Sequence, residues 1–232
     1  MEQSRSEILH LPGGPACVQW RRSRRARRVS LRIDPQGGAV VVTLPPRAAR
    51  TAGMALLMGH AAWVAERLAA LPGHIRLRRG AVLPLHGRGC TIRHVGGPEG
   101  VRRVGRSLLV GGAAGRLADQ VAGFLRAEAG RRFAGLVAEK AAAAGVAVRG
   151  IVLKDTRSRW GSCTADRTLS FSWRLVMAPR YVQDYVAAHE VAHIRHMNHG
   201  SRFWLLVRAL TPHTDAAISW LRDEGAALLR VG

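Results

Sequence analysis

An α+β fold is predicted for this 232-residue chain by a change of pattern along its length. Before Gly111-Gly112, short alternating and β-branched runs sit between turn residues. After it, apolar residues recur at helical spacing. With 47% apolar residues the chain can also bury a substantial core, which argues against disorder.

From Cys17 to Leu44 the chain reads as a hairpin. "VSLRID" alternates apolar and polar residues, "PQGG" has turn chemistry, and "AVVVTLPP" is β-branched and stops on prolines. A helix is expected over 48–70, with Met54, Leu57, Met58, Trp63 and Leu68 near one stripe, stopping before Pro72-Gly73. Residues 75–110, rich in Gly and Val, read as several more strands. Leu117, Val121, Phe124, Leu125, Phe133, Leu136 and Val137 then mark a long helix that Gly145 ends. "GIVLKD" and "TLSFSW" read as two strands around the loop "TRSRWGSCTADR". Pro179 suits the first turn of a helix running through His193, Ser201 opens a helix that closes before Pro212, and a last helix covers 214–229. Two regions follow from this: 1–112, β-rich with one helix, and 113–232. No linker or internal repeat marks the border, so the division is soft and the sequence also allows one compact body.

The formal charge is +21, and only Lys140 and Lys154 among the basic residues are lysines. So basic a chain attracts phosphates, in nucleic acid or in nucleotides. The arginine excess also suits the coding bias of a GC-rich genome. No apolar run reaches spanning length, and "MEQSRSEILHLPGG" lacks the basic-then-apolar order of a secretory signal, so a cytoplasmic protein with no membrane partner is expected. Cys17, Cys90 and Cys163 are odd in number and far apart, hence reduced thiols rather than a disulfide framework.

The chemistry concentrates in "HEVAHIRHMNHG", His189 to Gly200. HExxH on a helix puts two imidazoles one turn apart on one face, where both reach one metal ion, with the glutamate beside a metal-activated water. Composition alone would produce this motif in roughly one such chain in a hundred. Without a metal, His189 and His193 would sit unpaired on an otherwise apolar helix, which is costly. His196 would lie roughly 10 Å up the axis from His189 and cannot share the ion easily. His199 follows Asn198 and precedes Gly200, both tolerant of positive φ, so a turn there would bring it back. Its spacing resembles the third ligand of the metzincin signature, with His196 where that signature has glycine. The expected ligands of one Zn²⁺ per chain are therefore His189, His193 and His199, with water in the fourth position. A downstream carboxylate, Asp215 or Glu224, is the rival third ligand.

"RSRWGSC" (157–163), "FSWRLVMAPRYVQDYVAAHEVAHIRHMNHGSRFW" (171–204) and the early "RRSRRARRVSLRIDPQGGAVVVTLPP" together resemble the bacterial HExxH hydrolases labelled zinc metallopeptidase or UTP pyrophosphatase. The resemblance covers most of the chain. It implies a minimal zincin-like core similar to SprT-like proteases, with the HExxH helix packed on a small antiparallel sheet and a β-rich region before it. It also implies the same three ligands and Glu190 as general base.

Around this centre, Arg157, Arg159 and Arg174 are candidates to hold a phosphate or a peptide carboxylate, and Trp160 to line the cleft. Tyr185, one turn before His189, is a candidate to support an oxyanion or simply to pack. Gly161 is read as giving backbone freedom, Cys163 as a small apolar filler, and Phe203 and Trp204 as a wedge between helices. The expected activity is a zinc metallopeptidase acting on peptide or protein. The alternatives are a nucleoside triphosphate (UTP) pyrophosphohydrolase and, outside enzymes, a nucleic-acid-binding protein with a structural, four-ligand zinc that includes His196.

Overall fold

The computed structural model describes residues 4–156 and 159–232, with the backbone alone at Ser4 and Arg5. The chain divides into two compact units, Met1–Gly73 and His74–Gly232.

The first unit is a four-stranded sheet under two helices. Strands β1 (Ser4–Leu11), β2 (Gly14–Arg22), β3 (Ser30–Asp34) and β4 (Ala39–Leu44) lie in the order β1-β2-β4-β3. β1 and β2 are antiparallel, β2 and β4 parallel, and β3 and β4 antiparallel, the last being the expected hairpin. Alternate residues of the two central strands face the core: Ala16, Val18 and Trp20 from β2, and Val40, Val42 and Leu44 from β4. Helices α1 (Arg50–Gly59) and α2 (Ala61–Ala69) cover this face through Leu57, Ala61 and Val64. The single helix expected over 48–70 is thus broken at Gly59-His60. The break resets the helical phase, so Met58 and Trp63 are 47% and 37% exposed while Ala61 and Val64 turn inward.

The second unit begins with another four-stranded sheet. Strands β5 (Val82–Leu85), β6 (Arg88–His94), β7 (Gly100–Val104) and β8 (Ser107–Gly111) have the order β5-β6-β8-β7, with the same sequence of antiparallel, parallel and antiparallel pairings. The match extends to single residues. Trp20 opposes Val42 as Ile92 opposes Leu108. The amide of Ser23 bonds the carbonyl of Leu44 as that of Val95 bonds Val110, each at 3.0 Å.

A long helix, α3 (Leu117–Ala144), follows and ends as expected on Gly145 in the left-handed conformation, φ 61°. Its inward face, including Leu117, Val121, Leu125 and Phe133, shares one core with Leu83, Ile92 and Leu108 of this sheet. That same core takes in the HExxH helix. This continuity is why the units divide at Gly73/His74 rather than at the expected border after residue 112: the second sheet has no separate core.

A three-stranded sheet, β10-β11-β9, completes the unit with β9 (Gly150–Lys154), β10 (Gly161–Cys163) and β11 (Thr168–Ser172). It is mixed, β10 and β11 being antiparallel and β11 and β9 parallel. β10 lies inside the segment read from sequence as loop. Phe133 stacks on Phe171 at 4.4 Å and locks α3 to β11. The remaining helices are α4 (Arg180–Ala192), α5 (Ser201–Leu210), α6 (Thr214–Asp223) and α7 (Gly225–Leu228); the last two replace the single terminal helix expected over 214–229. The fold is α+β, with a β-rich N-terminal region before a zincin-like core. Among the described residues no helix is long and apolar enough to cross a membrane. Cys17, Cys90 and Cys163 are free thiols.

Candidate metal centre

Helix α4 starts directly after Pro179, and its inward stripe, including Val182, Tyr185 and Val186, is buried. That burial fixes the helix's rotation and turns His189 and the C-capping His193 to one side. The chain then reverses. The amides of Ile194, Arg195 and His196 bond back to Val191 and Ala192, and α5 opens at Ser201. Asn198 and Gly200 take no part through positive φ: neither is in the left-handed region, and Gly200 has φ −78°. The expected reversal is present, but tight bonding at the end of α4 produces it.

The reversal brings His199 to the other two histidines. His189, His193 and His199 each offer a ring nitrogen, and these atoms lie within 4.8 Å of one another; among the described residues this is the group suited to holding a metal. The Nε2 atoms of His189 and His199 are 3.2 Å apart. Two nitrogens at 2.0–2.1 Å from one tetrahedral ion would be separated by about 3.3 Å, so the spacing fits. The side chain of His196 is outside the group. So are the rival carboxylates: Asp215 is bound by Arg208 at 2.9 and 3.0 Å, and Glu224 is exposed between α6 and α7.

Two of the rings are oriented from behind. His193 Nδ1 is 3.1 Å from the carbonyl of His196. A carbonyl only accepts, so Nδ1 carries the hydrogen and Nε2 keeps its lone pair. His196 therefore contributes its backbone, not its imidazole. The Tyr185 hydroxyl is 3.2 Å from His189 Nδ1. In the tautomer that frees His189 Nε2 to ligate, Nδ1–H donates to Tyr185 Oη. Phe203, fully buried, lies under all three imidazoles with ring centroids 4.6 to 4.9 Å away. Burial, helped by the neighbouring imidazoles, lowers the pKa of His189 to about 4. Burial also lowers that of His193. Both are neutral at pH 7, as ligation requires.

Glu190 lies beside this cluster with 5% exposure, and its Oε2 is buried without a hydrogen-bond partner among the described residues. Burial raises its pKa to about 8, against a smaller opposing pull from the positive charge of Arg159. The carboxyl rests on β10. A Cβ at Gly161 would stand 2.4 Å from Glu190 Oε1 and 2.6 Å from its Cγ. Gly161 does not have positive φ. Its role is thus to leave room for the glutamate rather than to supply backbone freedom, and helical or strand periodicity carries no signal for such a function.

The other residues singled out from the sequence separate. Arg159 is exposed and within electrostatic reach of Glu190. Arg174 is 2% exposed; it pairs with Asp155, donates to the Val231 carbonyl at 3.1 Å and stacks on Trp173. Arg174, a candidate for holding substrate, thus has its guanidinium on Asp155, the Val231 carbonyl and Trp173. Trp160, half-buried, packs against Gly225 at the start of α7, where an added Cβ would come within 3.1 Å of its ring. Tyr185 is buried on His189, and burial raises its hydroxyl pKa to about 12. Its hydroxyl meets the His189 ring at 3.2 Å. Cys163 is half-buried, with its thiol pKa raised by burial and then by Glu190 and Asp166, which suits a filler and not a nucleophile. Arg157 lies outside the described residues.

A family model described as "YgjP-like, metallopeptidase domain" matches residues 27–224. No curated protein and no solved structure matches the chain.

Proposed function

Because the chain belongs to the YgjP-like family over residues 27–224, we propose that it is a zinc metallopeptidase in which His189, His193 and His199 are the metal ligands and Glu190 is the general base. The observation that carries this reading is the meeting of three imidazole nitrogens within 4.8 Å beside a buried, unpartnered carboxylate oxygen. Zinc bound there supplies a Lewis acid that polarises the scissile bond and lowers the pKa of water towards about 7. Glu190 takes the proton of the attacking water on its carboxylate and passes it to the leaving nitrogen. Tyr185 and the His196 carbonyl hold two of the rings in place, and Phe203 keeps water from beneath them.

An amide substrate is favoured over a nucleotide by β10. This strand is at one edge of its sheet, and Glu190 lies against its first residue. An extended peptide added to that edge would run past the carboxyl. A triphosphate would need a cationic grip, and among the described arginines singled out for it only Arg159 is exposed near Glu190, Arg174 being committed to Asp155. The non-enzymatic alternative requires a fourth protein ligand, and His196 directs its carbonyl, not its ring, to the cluster.

Casein and UTP, offered with and without chelator, separate these readings. Expected are cleavage of casein, its loss on chelation and its return with zinc. Glu190→Gln should lower turnover by about 10² or more while the protein keeps its metal and its fold. Release of pyrophosphate from UTP without proteolysis would overturn the peptidase reading, and an unchanged Glu190→Gln variant would overturn the enzyme reading altogether.

A further inference from the structure

The two four-stranded sheets solve the same connection with very different residues. In each, the chain passes from the second strand to the third across the end of the fourth. In the second unit the crossing takes "VGGPE", residues 95–99, with Gly96 and Gly97 at positive φ. In the first it takes "SRRARRV", residues 23–29, and Arg24, Arg25, Arg27 and Arg28 are all exposed. Geometry therefore does not require the arginines. From residue 8 to residue 33 the sequence contains no carboxylate. Some surface arginines of the second unit sit on acids close in sequence or space, as Arg131 does on Glu128, Arg149 on Asp166 and Arg208 on Asp215.

The crossing is held at its root. The Ser23 amide bonds the Leu44 carbonyl, and Arg22 Nη1 reaches the carbonyls of Pro45, Pro46 and Ala48. Those bonds bring the β4–α1 connection, with exposed Arg47, to the same end of the sheet. The guanidinium groups are thus offered by a folded loop. Its only apolar members, Ala26 and Val29, are half-buried, so nothing projects to insert into a bilayer. It contains no aromatic residue on which unpaired bases could stack.

We propose that the crossing, through Arg24, Arg25, Arg27 and Arg28, is a docking surface for double-stranded nucleic acid, gripped through its phosphates without reading base sequence. Guanidinium groups suit bidentate phosphate binding, and the absence of stacking residues favours a duplex over a single strand.

The test is anisotropy of a labelled mixed-sequence DNA duplex, titrated with the full chain between 50 and 200 mM salt. The protein should bind with a steep salt dependence. Replacing Arg24, Arg25, Arg27 and Arg28 by Ala should weaken binding about 100-fold and flatten the log–log salt slope by about 3.6, at roughly 0.9 for each of four phosphates no longer neutralised. Arg25→Glu alone, an exposed single change, should weaken it about 10-fold and secures the test if the fourfold variant does not fold. Removing the same charge elsewhere, by Arg76→Ala, Arg78→Ala, Arg79→Ala and Arg102→Ala together, should leave most of the affinity. Equal losses in the two fourfold variants would reduce the effect to net charge and overturn the proposal. So would single strands or phosphatidylserine vesicles that bind as tightly as the duplex.

Discussion

Sheets β1–β4 and β5–β8 have the same strand order, the same pairing directions and buried residues at matching places, yet they serve different ends. The first closes on its own helix pair and keeps a private core around Trp20, Val42 and Leu57. The second merges its core with α3 and, through it, with the helix that carries His189. Strand order is satisfied by any sequence with the right alternation and turns. What each sheet supports is decided by the helix that follows it and by the loop that crosses its end. Their sequences show no repeat because only the period-two pattern is shared, not the residues that fill it.

The largest expected difference between the sheets is in how they couple to the metal. Leu108→Ala and Leu57→Ala each remove a fully buried side chain and should each cost about 2–5 kcal/mol. Calorimetry with and without zinc distinguishes them: only Leu108→Ala should lower the transition that zinc raises. A shift of that transition by Leu57→Ala would mean that the two cores are not separate.

Gly161→Ala concerns the three-stranded sheet, which the first unit lacks. The added methyl must displace Glu190, so turnover should fall about 10- to 100-fold, or roughly 1.4–2.8 kcal/mol in barrier, at unchanged zinc content. Shortening the acid in the same chain, Glu190→Asp, should shrink the cost of the methyl. A constant cost in both backgrounds would place the glycine's role elsewhere.

A smaller effect is expected at the crossings themselves. A Cβ at Gly111 would stand 2.0 Å from the Pro98 carbonyl oxygen, whereas the first sheet has Pro45 at the matching position and accommodates a ring there. Gly111→Ala should therefore cost about 1–3 kcal/mol by overpacking, read as a lowered urea midpoint. An unaffected midpoint would show that the two crossings are equally loose.

Local patterns in the sequence carry a good deal of this. The β3–β4 hairpin, the stop at Gly145, the helix carrying HExxH and the group His189, His193 and His199 all follow from periodicity, turn chemistry or ligand spacing. The features that escape depend on residues distant in sequence. The short strand β10 exists because β11 pairs with it, and its three residues "GSC" have no strand character of their own. The room Gly161 leaves for Glu190, the burial of Arg174 on Asp155 and the support of His193 by a backbone carbonyl are invisible to residue type. The break at Gly59-His60 is masked by apolar residues that run on across it. The expected border after residue 112 follows the change from strand to helix pattern, although a core can cross such a change without interruption.

Metal content by elemental analysis, on the protein refolded or grown with zinc and dialysed, tests the central claim most directly. One zinc per chain is expected in the parent and in His196→Ala, since that variant keeps the carbonyl that supports His193. His199→Ala should lose most of its zinc, because two imidazoles then remain of the three. Zinc retained by His199→Ala and lost from His196→Ala would contradict the centre described above.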